Sequence, residues 1–367
     1  MSIRKRSWVS KGENRAAWVV DYVDQHGKRR LKTFELKKDA ETWATTALHE
    51  VATGVHAADS KTSVTEAFEL WLKHCADEGL ERSTIEQRRR HLKLHIAPFI
   101  GRVKLSELTT SRVYGFLDTL RDAGRSVAMR RKALTSLSTA LNFAKRRGKV
   151  AQNVALGVKV KSDARHTATG PLKAGRDFPT KQELKLLIDN APERWRAFIV
   201  VAVFTGMRAS ELRGLRWADV DLDGATIHVS QRADTWGKMG PPKSAAGARA
   251  IPLTPMVVNA LKQWKLVNGG YELVFANRRG RVNPHTNFLR QVWKPLQQAC
   301  RVGHFEFHSL RHAAASLFIE LGWAPKRIQA VMGHSSISMT FDRYGHLFPA
   351  GDVAADMKRL EAAIVAS

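Results

Sequence analysis

From Lys159 to Arg176 the chain is polar, basic and glycine-containing, and the hydrophobic patterning on either side does not run through it. Such a break rules out one continuous core. The segments on its two sides must each bury their own apolar faces. A second polar stretch, Gly54 to Ser63, divides the first part again. With 367 residues the chain is long enough for the two or three domains this implies. The expected division is 1–58, 62–160 and 175–367.

Each part has its own period. In the first, Trp18 to Val23 reads as a strand, Asp24 to Gly27 as turn chemistry and Lys28 to Phe34 as a returning strand, with Trp8-Val9 opening a third. Lys37 to Val51 has helical spacing, with Ala40, Trp43, Ala44, Ala47 and Leu48 on one stripe. The second part reads as all-helical. Val64, Phe68, Trp71 and Leu72 make one face. Ser83 and Glu86 suit a capping box ahead of Arg88-Arg89-Arg90-His91, in a helix that Pro98 and Gly101 end. Further helices carry Val113, Phe116, Leu117 and Leu120, then Val127, Leu134, Leu137, Leu141 and Phe143, with Gly148 as a stop. The third part is mixed and mainly helical. Strands are expected at Ala225–Ser230 and Arg249–Leu253, with a glycine-, proline- and lysine-rich loop around Lys243 between them.

Lysine plus arginine total 60 against 34 acidic residues, a net charge of +26. An excess of this size speaks about partners rather than fold, and nucleic acid comes first among them, ahead of an anionic membrane surface. The longest apolar run, Phe198 to Phe204, is too short to span a bilayer. The basic N-terminus lacks the apolar centre of a signal peptide. The two cysteines, Cys75 and Cys300, form no CxxC pair, so a cytoplasmic protein is expected, without disulfides or thiolate metal sites.

Chemistry-bearing side chains gather in the third part. Arg208, in Thr205-Gly206-Met207-Arg208, has Glu211 three residues on, close enough to share a helical face. That pair reads first as a surface ion pair, and second as a phosphate-gripping guanidinium oriented by a carboxylate. In His308-Ser309-Leu310-Arg311-His312, the first histidine and the arginine point the same way on a helix. The two histidines have zinc-ligand spacing, but Arg311 would repel a dication and no third ligand is near in sequence. His334 follows a glycine. Tyr344 sits between Asp342-Arg343 and Gly345-His346, a polar setting less typical of a core. Its phenol, titrating near 10 when free, needs activation to attack anything at neutral pH.

Taken together these residues resemble a known family. Arg208 in TGMRASEL, His308 and Arg311 in HSLRH, His334 in MGHSS and Tyr344 in DRYGH match, in order and spacing, the tyrosine recombinases, the lambda-type phage integrases. Lys243 sits where that family has its β-hairpin lysine. The resemblance is strong over residues 177–350. The helical part before it is similar to the family's core-type DNA-binding domain, and the first part to a small arm-type domain of prophage and integrative-element integrases. Ala313, where a threonine is frequent, and Met332, where a leucine is common, are small departures.

The resemblance implies site-specific DNA recombination by type IB transesterification. Tyr344 would attack the scissile phosphate and form a 3′-phosphotyrosine. Arg208 and Arg311 would bind the non-bridging oxygens, His308 would help deprotonate the tyrosine and His334 would hydrogen-bond the phosphate. Lys243 would protonate the leaving 5′-oxygen, with Glu211 in support. No metal or other cofactor is implied. Partners would be double-stranded DNA, three further copies in a synaptic tetramer, a DNA-bending host factor and an excisionase. Charge independently marks candidate DNA contacts: Arg4, Lys5, Arg6, Lys28, Arg29 and Arg30 in the first part, Arg88, Arg89, Arg90, Arg130, Arg131 and Lys132 in the second. A catalytically silent DNA-binding protein, a host-type resolving recombinase and a topoisomerase-like relaxer remain as alternatives.

Overall fold

The computed structural model describes residues 1–10, 13–23, 27, 29–52, 61–161, 170–268, 270–349 and 351–365. Two units emerge, Met1–Thr167 and Ala168–Ser367.

The first unit opens with β1 (Ser2–Ser10), β2 (Glu13–Val23) and β3 (Arg29–Phe34), an antiparallel sheet in the order β1-β2-β3. Helix α1 (Lys37–Ala52) comes next. Val20, Ala40 and Ala44 form a small buried cluster between sheet and helix, with Ile3, Trp18, Phe34 and Trp43 packed on it. Leu48, expected on the same stripe, is exposed instead. Of the expected turn, Asp24–His26 lie outside the described residues, as do Lys28 and most of the polar stretch from Gly54.

The helical part comprises α2 (Val64–Asp77), α3 (Arg82–His91), α4 (Ala97–Ile100), α5 (Thr110–Asp122) and α6 (Val127–Arg146). Their expected stripes meet in one core that includes Phe68, Trp71, Leu72, Val113, Phe116, Leu117, Leu120, Leu137 and Leu141. The cap of α3 differs from the sequence reading. Arg82 is already helical, and Ser83 Oγ donates to Glu81 Oε1 at 2.8 Å, so no Ser83–Glu86 box forms. Nor does Pro98 end the run. A wide π-turn, Leu92–Ile96, leads into α4, where proline sits in the first turn and needs no N–H partner, and the run stops at Gly101.

The second unit begins with α7 (Lys181–Asp189), opened by a Thr180–Glu183 capping box, and the almost wholly buried α8 (Glu193–Thr205). After α9 (Ala209–Arg213) come the short strands β4 (Val220–Asp221), β5 (Thr226–Val229), β6 (Arg232–Ala233), β7 (Met239–Gly240) and β8 (Arg249–Pro252). They make an antiparallel sheet β4-β5-β8 and a separate β6-β7 hairpin. The remainder is helical: α10 (Pro255–Asn268), α11 (His285–Phe288), α12 (Lys294–Ala299), α13 (Ser309–Glu320), α14 (Pro325–Met332), α15 (Ile337–Tyr344) and α16 (Val353–Val365). A single core holds α8 and α13 together with Phe307, Ile328, Met332 and Tyr344.

Candidate active site

Two left-handed chain reversals build the site. Helix α8 ends at Gly206, whose φ of +60° and close approach to Met332 Sδ, 2.8 Å from where a Cβ would stand, admit only glycine. Arg208 then becomes the N-cap residue of α9. Helix α14 ends in the same left-handed way at Gly333, with φ +64°. Both turns therefore bring backbone carbonyls and polar side chains into one place, beside the N-terminus of α13.

Glu211 is the anionic centre of the site, 1% exposed. Its Oε1 accepts from Arg208 Nη1 at 2.7 Å, and its Oε2 accepts from the Arg208 backbone N–H and from Arg249 Nη2, each at 3.0 Å. Burial alone would push this carboxyl up, but the charge and hydrogen bond of Arg249, together with Arg208, hold it below the usual carboxylate value. The three guanidiniums then reach successive carbonyls at the end of α14. Arg249 Nε donates to Val331 O at 2.6 Å, Arg311 Nη2 donates to Met332 O, and Arg208 Nη2 donates to Gly333 O at 3.1 Å. Arg311 also donates to Gly206 O at 2.7 Å. Burial, and after it the Arg208 charge, lowers Arg311 to about 9, still a cation at neutral pH.

The histidines and the phenol line the other side. His334 Nδ1 lies 2.9 Å from Thr340 Oγ1, and its ring stacks on Tyr344 at 6.2 Å between centroids. His308 keeps a solvent-facing edge at the N-cap of α13, and its ring meets His312 edge-on at 5.2 Å. Withdrawal from water, reinforced by neighbouring arginines, lowers His308, His312 and His334 each to about 4, so all three are neutral at pH 7. Tyr344 moves the opposite way, pushed up by burial to about 12 against the pull of Arg311, Arg343 and Arg208.

Two expectations change here. Tyr344 is 2% exposed and belongs to the core. The polar residues beside it, Asp342 and Arg343, occupy the outer face of α15, while Thr340 and Tyr344, four apart, point inward. And the imidazole on the phenol is not His308 but His312, whose Nδ1 lies 2.8 Å from Tyr344 Oη. His312 and Arg249 are the members of the site that the sequence reading left out. The spacing of four in HSLRH was visible, but which of its histidines meets the tyrosine depends on how α15 packs on α13. Lys243 stays apart. It is exposed in the loop before β8, and among the described residues no hydrogen bond or ion pair joins it to the cluster. No group of three or more His, Cys, Asp or Glu side chains suited to a metal occurs among the described residues.

Among the expected DNA contacts, Arg4, Lys5, Arg6, Arg29, Arg30, Arg89, Arg90, Arg131 and Lys132 are exposed. Two are withdrawn from the surface, wholly or in part. Arg130 is 5% exposed, on the inward side of α6 beside Ala133 and Leu134. Arg88 lies over the Trp71 ring at 4.6 Å, a cation–π contact that half-buries it. Arg29 remains exposed but is clamped by the buried carboxylate of Asp21, Nε to Oδ1 at 2.9 Å and Nη2 to Oδ2 at 2.6 Å, with Arg4 at 3.8 Å.

Residues 178–350 match the model of the phage integrase family, and residues 63–121 that of the phage integrase N-terminal SAM-like domain. The chain belongs to the phage integrase family of tyrosine recombinases. It is 26% identical over 364 residues to the prophage phiRv2 integrase of Mycobacterium tuberculosis, covering 95% of this chain and 94% of that one. It is 24% identical over 378 residues to a XerC-like tyrosine recombinase of Caldanaerobacter subterraneus, covering 94% and 96%. Among solved structures, the integrase of transposon Tn1549 with a circular-intermediate DNA superposes with a TM-score of 0.67 at 20% identity, over 82% of this chain and 99% of that one. A lambda integrase tetramer bound to a Holliday junction gives 0.59 at 20% identity, over 90% and 96%. These likenesses establish the integrase fold. No helix among the described residues of this family member is long and apolar enough to cross a membrane.

Proposed function

We propose that this integrase recombines a mobile element with its target DNA at specific sites, breaking and rejoining strands through a 3′-phosphotyrosine on Tyr344. One observation carries the reading: Arg208 and Arg311, remote in sequence, bond to the adjacent carbonyls of Gly333 and Met332, beside the imidazole that stacks on the Tyr344 ring. Arg208 keeps the most exposure of the three, so a phosphodiester brought to this corner meets that cation before the buried Arg311 and phenol. The guanidiniums stabilise the charge of the pentacoordinate transition state, the work a metal does in other phosphoryl transfers. His308, at the solvent edge, and His334, held by Thr340, are neutral and able to donate to phosphate oxygens. Lys243 is the acid for the leaving 5′-oxygen, carried in by its exposed loop. Energy conserved in the phosphotyrosine makes ATP unnecessary.

The three-part division at 1–58, 62–160 and 175–367 then corresponds to an arm-type DNA-binding domain, a core-type DNA-binding domain and the catalytic domain. The protein would act on chromosomal DNA in the cytoplasm, as a homotetramer, with a DNA-bending host factor and an excisionase setting direction. Helix α16 supports assembly: Val353, Met357, Leu360 and Ile364 are all exposed and none of its described residues is buried. Such a stripe suits docking on a neighbouring copy.

The test is single-turnover cleavage of a nicked duplex carrying a core site that the protein itself selects from a random duplex library. Wild type is expected to form a covalent protein–DNA adduct, and Tyr344→Phe to bind the same duplex without one. Equal adduct from both proteins sinks the tyrosine assignment. Selective binding with no adduct from wild type turns the reading toward a silent architectural protein.

A further inference from the structure

The family's sequence pattern singles out the first histidine of HSLRH, yet the structure puts the second one on the reacting oxygen. His312 Nδ1 stands 2.8 Å from Tyr344 Oη. It projects from the first turns of α13, in the same helix as Arg311, while Tyr344 closes α15. A buried phenol needs a partner for its O–H, and this imidazole is the hydrogen-bond partner the structure records for it. His334 meets the same phenol only by ring stacking, and its Nδ1 is already engaged with Thr340. His308 touches His312 rather than the tyrosine.

We propose that His312 is the catalytic base of strand cleavage: it holds the Tyr344 hydroxyl through Nδ1 and takes the phenolic proton as the tyrosine oxygen attacks phosphorus. The inference rests on the recombinase function proposed for the same site. In the cleavage step the Oη–P bond forms and the P–O5′ bond breaks. The phenolic proton passes to Nδ1, leaving His312 as an imidazolium, and the departing 5′-oxygen takes a proton from Lys243. Rejoining reverses each transfer.

The surroundings explain why the nucleophile stays inert without DNA. His312 is kept neutral by burial first, then by His308, Arg343 and Arg311, with the Asp177 carboxylate pulling the other way. Tyr344 is kept protonated by burial. The proton therefore rests on the phenol in the free protein. A phosphate bound at Arg208 and Arg311 brings negative charge beside Arg311, one of the cations that disfavour an imidazolium. It narrows the gap between donor and acceptor at the moment a target is present. His308, at the rim, is left to face the phosphate.

The experiment compares His312→Asn with wild type in single-turnover cleavage of the nicked core-site duplex. Asparagine keeps a polar partner near the Nδ1 position but cannot accept a proton. Each protein is also prepared with 3,5-difluorotyrosine at position 344, whose more acidic phenol depends less on a base. The expected result is cleavage about 10²–10⁴-fold slower for His312→Asn with natural tyrosine, DNA affinity unchanged, and at least a tenfold recovery of that deficit with the fluorinated residue. Cleavage at the wild-type rate or faster overturns the proposal. So does a deficit that fluorination does not reduce, since that is the behaviour of a merely structural contact. His308→Asn, run in parallel, is expected to lose rate without fluorine rescue, and rescue there but not at His312 also overturns it. Absence of adduct from wild type itself refutes the functional reading instead, so the two failures are separable.

Discussion

Replacing Glu211 with glutamine removes the carboxylate that ties Arg208 to Arg249. Its oxygens bind Arg208 twice and Arg249 once, at 2.7–3.0 Å, and among the described residues no other ion pair reaches either arginine. Arg249 is 6% exposed and Glu211 1%, so this pair lies out of reach of solvent screening, whereas Arg208, at 23%, is partly screened. Breaking a buried pair by neutralising one partner costs about 3–5 kcal/mol, because the remaining charge is left uncompensated. The amide of glutamine also turns an N–H₂ toward donors on at least one side. Screening of Arg208 places the expected loss at the lower end, about 3 kcal/mol. For a unit of this size that lowers the melting temperature by about 6–12 °C. Calorimetry and urea denaturation of the full chain, following the transition of the C-terminal unit, would measure it. Arg249→Met in the Glu211→Gln background should restore more than about 1 kcal/mol relative to additivity, by removing the stranded cation. A loss below about 1 kcal/mol for Glu211→Gln, or strict additivity in the double variant, would refute the view that this carboxylate balances the cluster.

Stability should depend on acid in a defined window. His312 and His334 sit near 4 when folded against 6.5 for a free histidine, so the unfolded chain binds more protons as pH falls. Their contribution is fully present above about pH 6.5 and is lost progressively toward pH 4, at up to about 1.4 kcal/mol per pH unit for each. Urea midpoints from pH 7.5 to 4.5 would show it, and an acid limb unchanged in His334→Gln would count against His334. DNA affinity should fall about 10³–10⁵-fold between 50 and 200 mM salt if roughly 6–10 phosphates are neutralised. A shallow slope in fluorescence anisotropy would reject the basic faces as phosphate contacts. Arg131→Ala should reduce that slope by about one charge, whereas Arg130→Ala, at a buried position, should lower stability more than it alters salt dependence. Deleting residues 352–367 should leave a folded, DNA-binding monomer that no longer assembles cooperatively, since no described residue of α16 is buried. Unaltered assembly by analytical ultracentrifugation on DNA would dismiss the tail as a contact.

Features that repeat at short range were legible in the amino-acid sequence. The helical stripes of α2, α5 and α6 and the positions of β5 and β8 arise from local periods, and they stand where expected. The order and spacing of Arg208, His308, Arg311, His334 and Tyr344 named the chemistry, because a set of reactive side chains is legible even when its geometry is not. The misreadings share one cause. The burial of Arg130 and of Tyr344, and the contact of the phenol with His312, depend on which face of a helix its neighbours cover. Local sequence states a residue's type and phase; it does not state what packs against that phase. Two left-handed glycines, Gly206 and Gly333, turn three arginines toward consecutive carbonyls, and the docking of α15 on α13 hands the phenol to one imidazole among three. Composition and motif named the family and pointed to DNA as its partner. Only long-range packing, which sets angstrom-scale distances between residues far apart in sequence, decided which imidazole meets the Tyr344 hydroxyl.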